Sequence, residues 1–212
     1  CKYLCIVGLL MSQSAYSATG ILEDFSNSIN ADNFNQTEKV VALDTANQKL
    51  ILSSGASSTS QTWLHNMLRL NNPGVTSLGA DLTVTNLTLG ESTTQQASVT
   101  IAGKFYNSDS ATASTSMGEV WVSVSLGDRC NGLEAWYEVE ESTSDNWSTS
   151  TIIKETIDTI VLDKSYAVLI SYDGDKTFSF TLDGGAPLTF VGPNKIGAPY
   201  NNRQAVRTRL LF

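Results

Sequence analysis

The sequence predicts an all-β fold, a two-sheet antiparallel β-sandwich. Three observations carry that expectation. Apolar and polar residues alternate strictly in Val120-Trp121-Val122-Ser123-Val124-Ser125-Leu126 and in Thr177-Phe178-Ser179-Phe180-Thr181-Leu182. A period of two marks strands with one face in a core. Turn residues separate such runs at Asn72-Pro73-Gly74, Gly127-Asp128, Asp173-Gly174-Asp175, Asp183-Gly184-Gly185 and Gly192-Pro193-Asn194. Hydrophobic residues make up 41% and charged residues 16% of the 212 residues, enough apolar content for one core and too little charge for a disordered chain.

The N-terminal stretch reads differently. Lys2 precedes the apolar run Tyr3–Met11, and Ser12–Ser17 is small and polar. Ala15 and Ser17 place small residues where a signal peptidase needs them, so cleavage is expected after Ser17, with Ala18-Thr19-Gly20 as a second option. Residues 1–17 are therefore expected to be a secretory signal peptide and residues 18–212 a single sandwich domain, extracellular or periplasmic. A short buried helix or strand is the alternative for the apolar run. It is too short for a membrane span of roughly 20 residues. Removing it also removes Cys1 and Cys5, leaving Cys130 without an internal disulfide partner. The domain is then expected to hold together by its core alone.

The remaining elements follow in order. Leu82–Leu89 alternates before slipping, and Val99–Tyr106 alternates more loosely. Thr151–Val161 could place Ile153, Ile157, Ile160 and Val161 on one helix face, yet its Ile, Thr and Val content favours strand. Val120–Leu126 and Leu133–Val139 form the expected hairpin. With residues 127–132 as the connection, Leu126 is expected opposite Leu133 and Val122 opposite Tyr137, which puts both apolar sets on one side. In that register Trp121 faces Glu138, Ser123 faces Trp136, and the two indoles are diagonal neighbours.

Composition excludes several functions. The net charge is −8, and it becomes −9 without Lys2, so a nucleic-acid backbone or an anionic membrane would be repelled. Arg203, Arg207 and Arg209 are the densest basic group, and they read as lining one strand. His65 is the only histidine, and Gly-x-Ser-x-Gly is absent, which leaves a serine triad without its base. One histidine and one retained cysteine are too few for a zinc site.

The face opposite the apolar set of the hairpin is the candidate site. It carries Glu119, Trp121, Ser123 and Ser125 on one strand and Glu134, Trp136, Glu138 and Glu140 on the other, with Lys104 and Tyr106 expected to join from a neighbouring strand. An indole stacks on the apolar face of a pyranose, and a carboxylate accepts its hydroxyl hydrogens. That chemistry suits a glycan or a cell-surface ligand. The same residues also suit two indoles packed against each other or under a loop. Glu138 and Glu140, two apart on one face, are roughly 7 Å from each other. That lies within the range of roughly 6.5–9.5 Å used by inverting glycosidases, which makes them candidate catalytic acids.

The layout also resembles the concanavalin A-like lectin/glucanase superfamily, and its laminin-G-like and pentraxin-like sandwiches in particular. The residues that carry the resemblance are Glu23-Asp24-Phe25-Ser26, Asn33-Phe34, Lys49-Leu50-Ile51-Leu52, Ser165–Gly174 and Phe178–Gly184. The resemblance implies a jelly roll whose closing strand, Ala205–Phe212, returns beside the first strands. It implies no single activity, because one fold hosts many. The Glu-x-Asp-x-x-Glu strand of family-16-type glucanases is absent, and His65 lacks the Gln-x-His setting of the alginate lyases. Related lectins hold calcium in oxygen-rich loops, so Asp173 and Asp175 are candidate calcium ligands; a tight hairpin turn is the other reading of that loop, and Asp128 is a similar candidate. No other cofactor is expected.

The expectation is thus a secreted, non-catalytic binding domain for carbohydrate or a cell-surface ligand. A divergent glycoside hydrolase or polysaccharide lyase, and a structural or adhesive module, are the alternatives.

Overall fold

The computed structural model describes residues 6–9, 25–29, 34–36, 42–52, 63–64, 67–70, 75–87, 96–130, 132–146, 148–200 and 204–211. The proposed cleavage site, Cys1, Cys5, Glu23-Asp24, Asn33, His65, Asn72-Pro73-Gly74, Thr88-Leu89 and Arg203 lie outside them. The described residues form strands and connections without a helix. The strands are β1 (Ile6–Leu9), β2 (Phe34–Gln36), β3 (Ala42–Asp44), β4 (Lys49–Leu52), β5 (Trp63–Leu64), β6 (Met67–Leu70), β7 (Ser77–Asn86) and β8 (Gln96–Asn107). They continue as β9 (Glu119–Asp128), β10 (Leu133–Ser142), β11 (Thr149–Thr159), β12 (Ser165–Tyr172), β13 (Thr177–Leu182), β14 (Leu188–Val191) and β15 (Gln204–Leu211).

They build two antiparallel sheets. One runs β14-β13-β12-β7-β1-β4-β3, and the other runs β11-β10-β9-β8-β15-β6-β2, with β5 also on β15. The expected β-sandwich is therefore present, and its architecture is compatible with a concanavalin A-like fold. The closing strand β15 lies between β6 and β8, with β2 one strand further out. Thr151–Val161 is strand for most of its length, because Thr149–Thr159 pairs along β10.

Alternation places the core. Leu78, Ala80, Leu82 and Val84 of β7 and Val168 and Ile170 of β12 meet Val99, Ile101, Val120, Val122, Val124 and Leu126 of the second sheet. Aromatic rings bridge the two layers. Tyr137 stacks on Phe180 at 4.2 Å, and Tyr106 stacks on Tyr172 and Phe178 at 5.7 and 6.0 Å. Such pairs each add about 0.5–1.5 kcal/mol beyond their buried area. The phenol of Tyr137 donates to Glu155, and burial together with that bond raises its pKa to about 12.

The apolar run Tyr3–Met11 contributes β1, which hydrogen-bonds to β4 and β7. A cleaved leader and a sheet strand are different fates of the same residues. Processing after Ser17 would take β1 from between its neighbours.

Asn107 fixes the end of β8. Its amide nitrogen donates to the Met117 carbonyl at 2.7 Å, and its oxygen accepts from the amides of Asp109 and Ser110. Its backbone carbonyl accepts from Ile196 and Gly197. Asn107 thus ties two loops to the strand that carries Lys104, one by its buried side chain and the other by its backbone.

Gly127 holds β8 and β9 together at the other end. A Cβ there would lie 2.0 Å from the Ala97 carbonyl oxygen, which is backbone and cannot step aside. Gly127→Ala is expected to destabilise the fold by about 2–3 kcal/mol, the scale of overpacking in a tight core. Urea unfolding measures this; a change below about 0.5 kcal/mol, the usual scatter for an innocuous surface change, would show that the strands have room to separate.

Candidate functional site

The hairpin register differs from the expected one by two residues. Ala135 lies opposite Leu126, Tyr137 opposite Val124 and Val139 opposite Val122. A shift of two preserves the period of the pleat, so every side chain keeps its face. The cross-strand partners change, however. Trp121 lies opposite Glu140, Ser123 opposite Glu138 and Ser125 opposite Trp136. The indoles are therefore four residues apart along the strands, roughly 13 Å, and are not diagonal neighbours. The physical reason is the connection: β9 extends to Asp128, leaving only residues 129–132 for the turn, with Cys130 and Gly132 at positive φ.

The outer face of β8, β9 and β10 can be read in rows. Lys104, Trp121 and Glu140 form one row; Ala102, Ser123 and Glu138 the next; then Thr100, Ser125 and Trp136; then Ser98, Gly127 and Glu134. Small side chains thus form a floor between the two indoles. Thr100 and Ser125 hydroxyls are 2.7 Å apart across it. Tyr106 does not belong to this face. A bulge between Lys104 and Tyr106 turns its ring into the core, where its hydroxyl donates to the Pro193 carbonyl. Lys104 stays on the outer face and ion-pairs with Glu119 at 2.5 Å.

Alternating strands of this kind are expected to show a wet polar face. Here the polar face is closed to solvent as well. Trp121 is 3% exposed and Trp136 1%, and Lys104, Glu119, Ser123, Glu134 and Glu138 are all buried. Charges at such sites need partners. Glu138 pairs with Lys154 of β11 at 3.4 Å. Glu134 takes Arg129 on one oxygen and the Thr156 hydroxyl on the other, and the Arg129 bond holds its carboxyl below the usual carboxylate range. Glu140 sits at the rim and accepts from Thr149.

Arg129 and Lys154 were not legible as site residues. Both reach the Trp136 ring, at 4.9 and 5.9 Å from its centre, as cation–π contacts. Cations thus meet the ring where a pyranose was expected to stack. The indole edge is different. Trp136 Nε1 has no hydrogen-bond partner among the described residues, although it is buried. Lys154 could have been suspected from its place in a strand beside acids, whereas nothing local marks Arg129.

The loop of Asp173 and Asp175 is a tight turn between β12 and β13. One oxygen of Asp173 accepts from the amides of Asp175, Lys176 and Thr177 at 2.8, 3.0 and 3.0 Å. The Lys195 ammonium takes the Gly174 carbonyl at 2.7 Å. Among the described residues no three His, Cys, Asp or Glu side chains converge as a metal site would require.

With this geometry in hand, the comparisons with known proteins can be stated. No protein-family model and no curated protein matches the chain. Porphyranase B from Zobellia galactanivorans is a structural neighbour, with a TM-score of 0.40 and 7% identity over 96% of this chain and 76% of that one. At that score the likeness assigns no activity.

The turn makes a pH prediction. The hydrogen bond from Thr177, then that from Asp175, lowers the Asp173 pKa from 3.8 to about 2. A depressed pKa in the folded state means that its contribution is complete above 3.8 and is lost as pH falls toward 2. Amide exchange at Asp175, Lys176 and Thr177 is expected to accelerate across that window, ahead of the core strands. Simultaneous loss of protection throughout the sandwich would mean that Asp173 does not govern the turn.

Proposed function

We propose that the chain is an exported, non-catalytic carbohydrate-binding domain, with its site on the outer face of β8, β9 and β10. The observation that carries this reading is the row arrangement: two indoles at the ends of a floor of Ala102, Ser123, Thr100 and Ser125, with Glu138 beside it. Burying charges on a sheet face is a poor way to gain stability, since an apolar set of similar volume does as well or better. Concentrated buried charges therefore favour a binding role. The leader-like residues 1–17 support export, and no described helix is long and apolar enough to cross a membrane.

The burial of Trp121 and Trp136 favours a second reading, a structural or adhesive module in which the indoles are packing. Glycan-array retention with Trp121→Phe and Trp136→Phe separates the two. Phenylalanine keeps an aromatic ring and removes the N–H. The binding reading expects retention by the parent and a loss on the order of tenfold in at least one folded variant, the effect of about 1.4 kcal/mol of hydrogen bonding to a buried donor. Undiminished retention in both variants would remove this face from the site. No retention by the parent would leave the packing reading.

A further inference from the structure

We propose that strand β1 is a placeholder: once residues 1–17 are removed on export, the new N-terminal residues 18–22 enter the gap between β4 and β7, in the register that β1 holds before cleavage. This goes beyond the carbohydrate reading and rests on its export half alone. β1 is an interior strand, paired with β4 on one side and β7 on the other. Val7 lies opposite Leu52 and Val84, and Leu9 opposite Leu50 and Leu82. Those four partners are at most 1% exposed and belong to the core, so Val7 and Leu9 hold core-facing places in the pleat. Gly8 lies between them on the outer face, opposite Ile51 and Thr83. Cleavage after Ser17 would open two strand edges in the middle of the sheet and uncover four core side chains. Unpaired edges of that kind capture a strand that can reach them.

The segment that cleavage frees repeats the strand it would replace. Ile6-Val7-Gly8-Leu9-Leu10 is matched, twelve residues on, by Ala18-Thr19-Gly20-Ile21-Leu22. In that register Thr19 takes the place of Val7, Gly20 that of Gly8 and Ile21 that of Leu9. A strand has a period of two, so both core-facing places are refilled and a glycine returns to the outer face. The cleavage site fits as well. A cut after Ser17 puts the new ammonium on Ala18, at the place of Ile6, where the pairing with β7 slips at the end of the strand. That charge lies beyond the core-facing places, whereas a cut after Gly20 would destroy the match. Glu23 and Asp24 lead from the segment to Phe25, which is fully buried in the same core and tethers it there. The tether gives the segment a high effective concentration over any strand from another molecule.

Disulfide trapping in the full chain, produced in an exporting host, tests this. Gly20→Cys is combined with Thr83→Cys or with Ile51→Cys, each with Cys130→Ser, and the product is read by intact mass, thiol titration and peptide mapping. Directly opposed residues of antiparallel strands have Cα atoms roughly 4.5–5.5 Å apart, inside the disulfide range. The proposal expects a chain that starts at Ala18 and loses both thiols to a bridge from position 20 to position 83 or 51. Gly20→Cys with Ser179→Cys, on the same outer face but two strands beyond β7, is expected to keep its thiols. Thiols kept in both test variants of a chain starting at Ala18, a bridge in the control, or a chain starting at Ile21 would overturn the exchange and leave export in place. A product that keeps residues 1–17 would overturn the export reading, and this proposal with it. Should neither double variant fold, Thr19→Val decides, because it removes a hydroxyl from a core-facing place and restores the side chain of Val7. A higher unfolding temperature supports the exchange, and an unchanged or lower one overturns it.

Discussion

Burial of both faces of β8, β9 and β10 is the constraint on which the rest of the structure depends. One face meets the other sheet through Val99, Ile101, Val120, Val122, Val124 and Leu126, as any sandwich requires. The opposite face holds Lys104, Glu119, Glu134 and Glu138, which cannot be withdrawn from water unless each finds its opposite charge or a hydroxyl. The ion pairs, the Thr100–Ser125 contact and the cations on Trp136 follow from that requirement. So does the sharp end of β8. Its bulge sends Phe105 and Tyr106 inward while leaving Lys104 outward to meet Glu119.

Much of the fold is visible in the sequence because it rests on a period of two. Val120–Leu126 and Thr177–Leu182 alternate, and the structure buries the apolar set of each in the shared core. Ser165–Tyr172 pairs with Thr177–Leu182 across the Asp173 turn, as the alternation and the turn residues imply. Pleat geometry is indifferent to a shift of two, however. The hairpin faces were therefore legible while its register was not, and the spacing of Trp121 and Trp136 depends on register.

The site was less legible, for two reasons. A bulge has no strong local sequence signal, so Tyr106 was assigned the face that Lys104 alone occupies. The environment of Trp136 is built by residues distant in sequence or lying in a turn. Lys154 and Thr156 arrive from β11, and Arg129 from the hairpin connection. Alternation alone does not show whether the polar face is covered, since a polar face on a strand is ordinarily wet. Charge pairing across four strands is a tertiary property, and it is what allows that face to close.

The central claim is that the buried charges of this face serve recognition and not folding. Replacing the Lys104–Glu119 pair together, as Lys104→Met with Glu119→Leu, tests it most directly, with thermal unfolding and polysaccharide retention read on the same protein. A buried pair exchanged for apolar residues of similar volume is often neutral or stabilising. The account predicts an unfolding temperature that is unchanged or higher, with retention lost. A lower unfolding temperature with retention intact would contradict it.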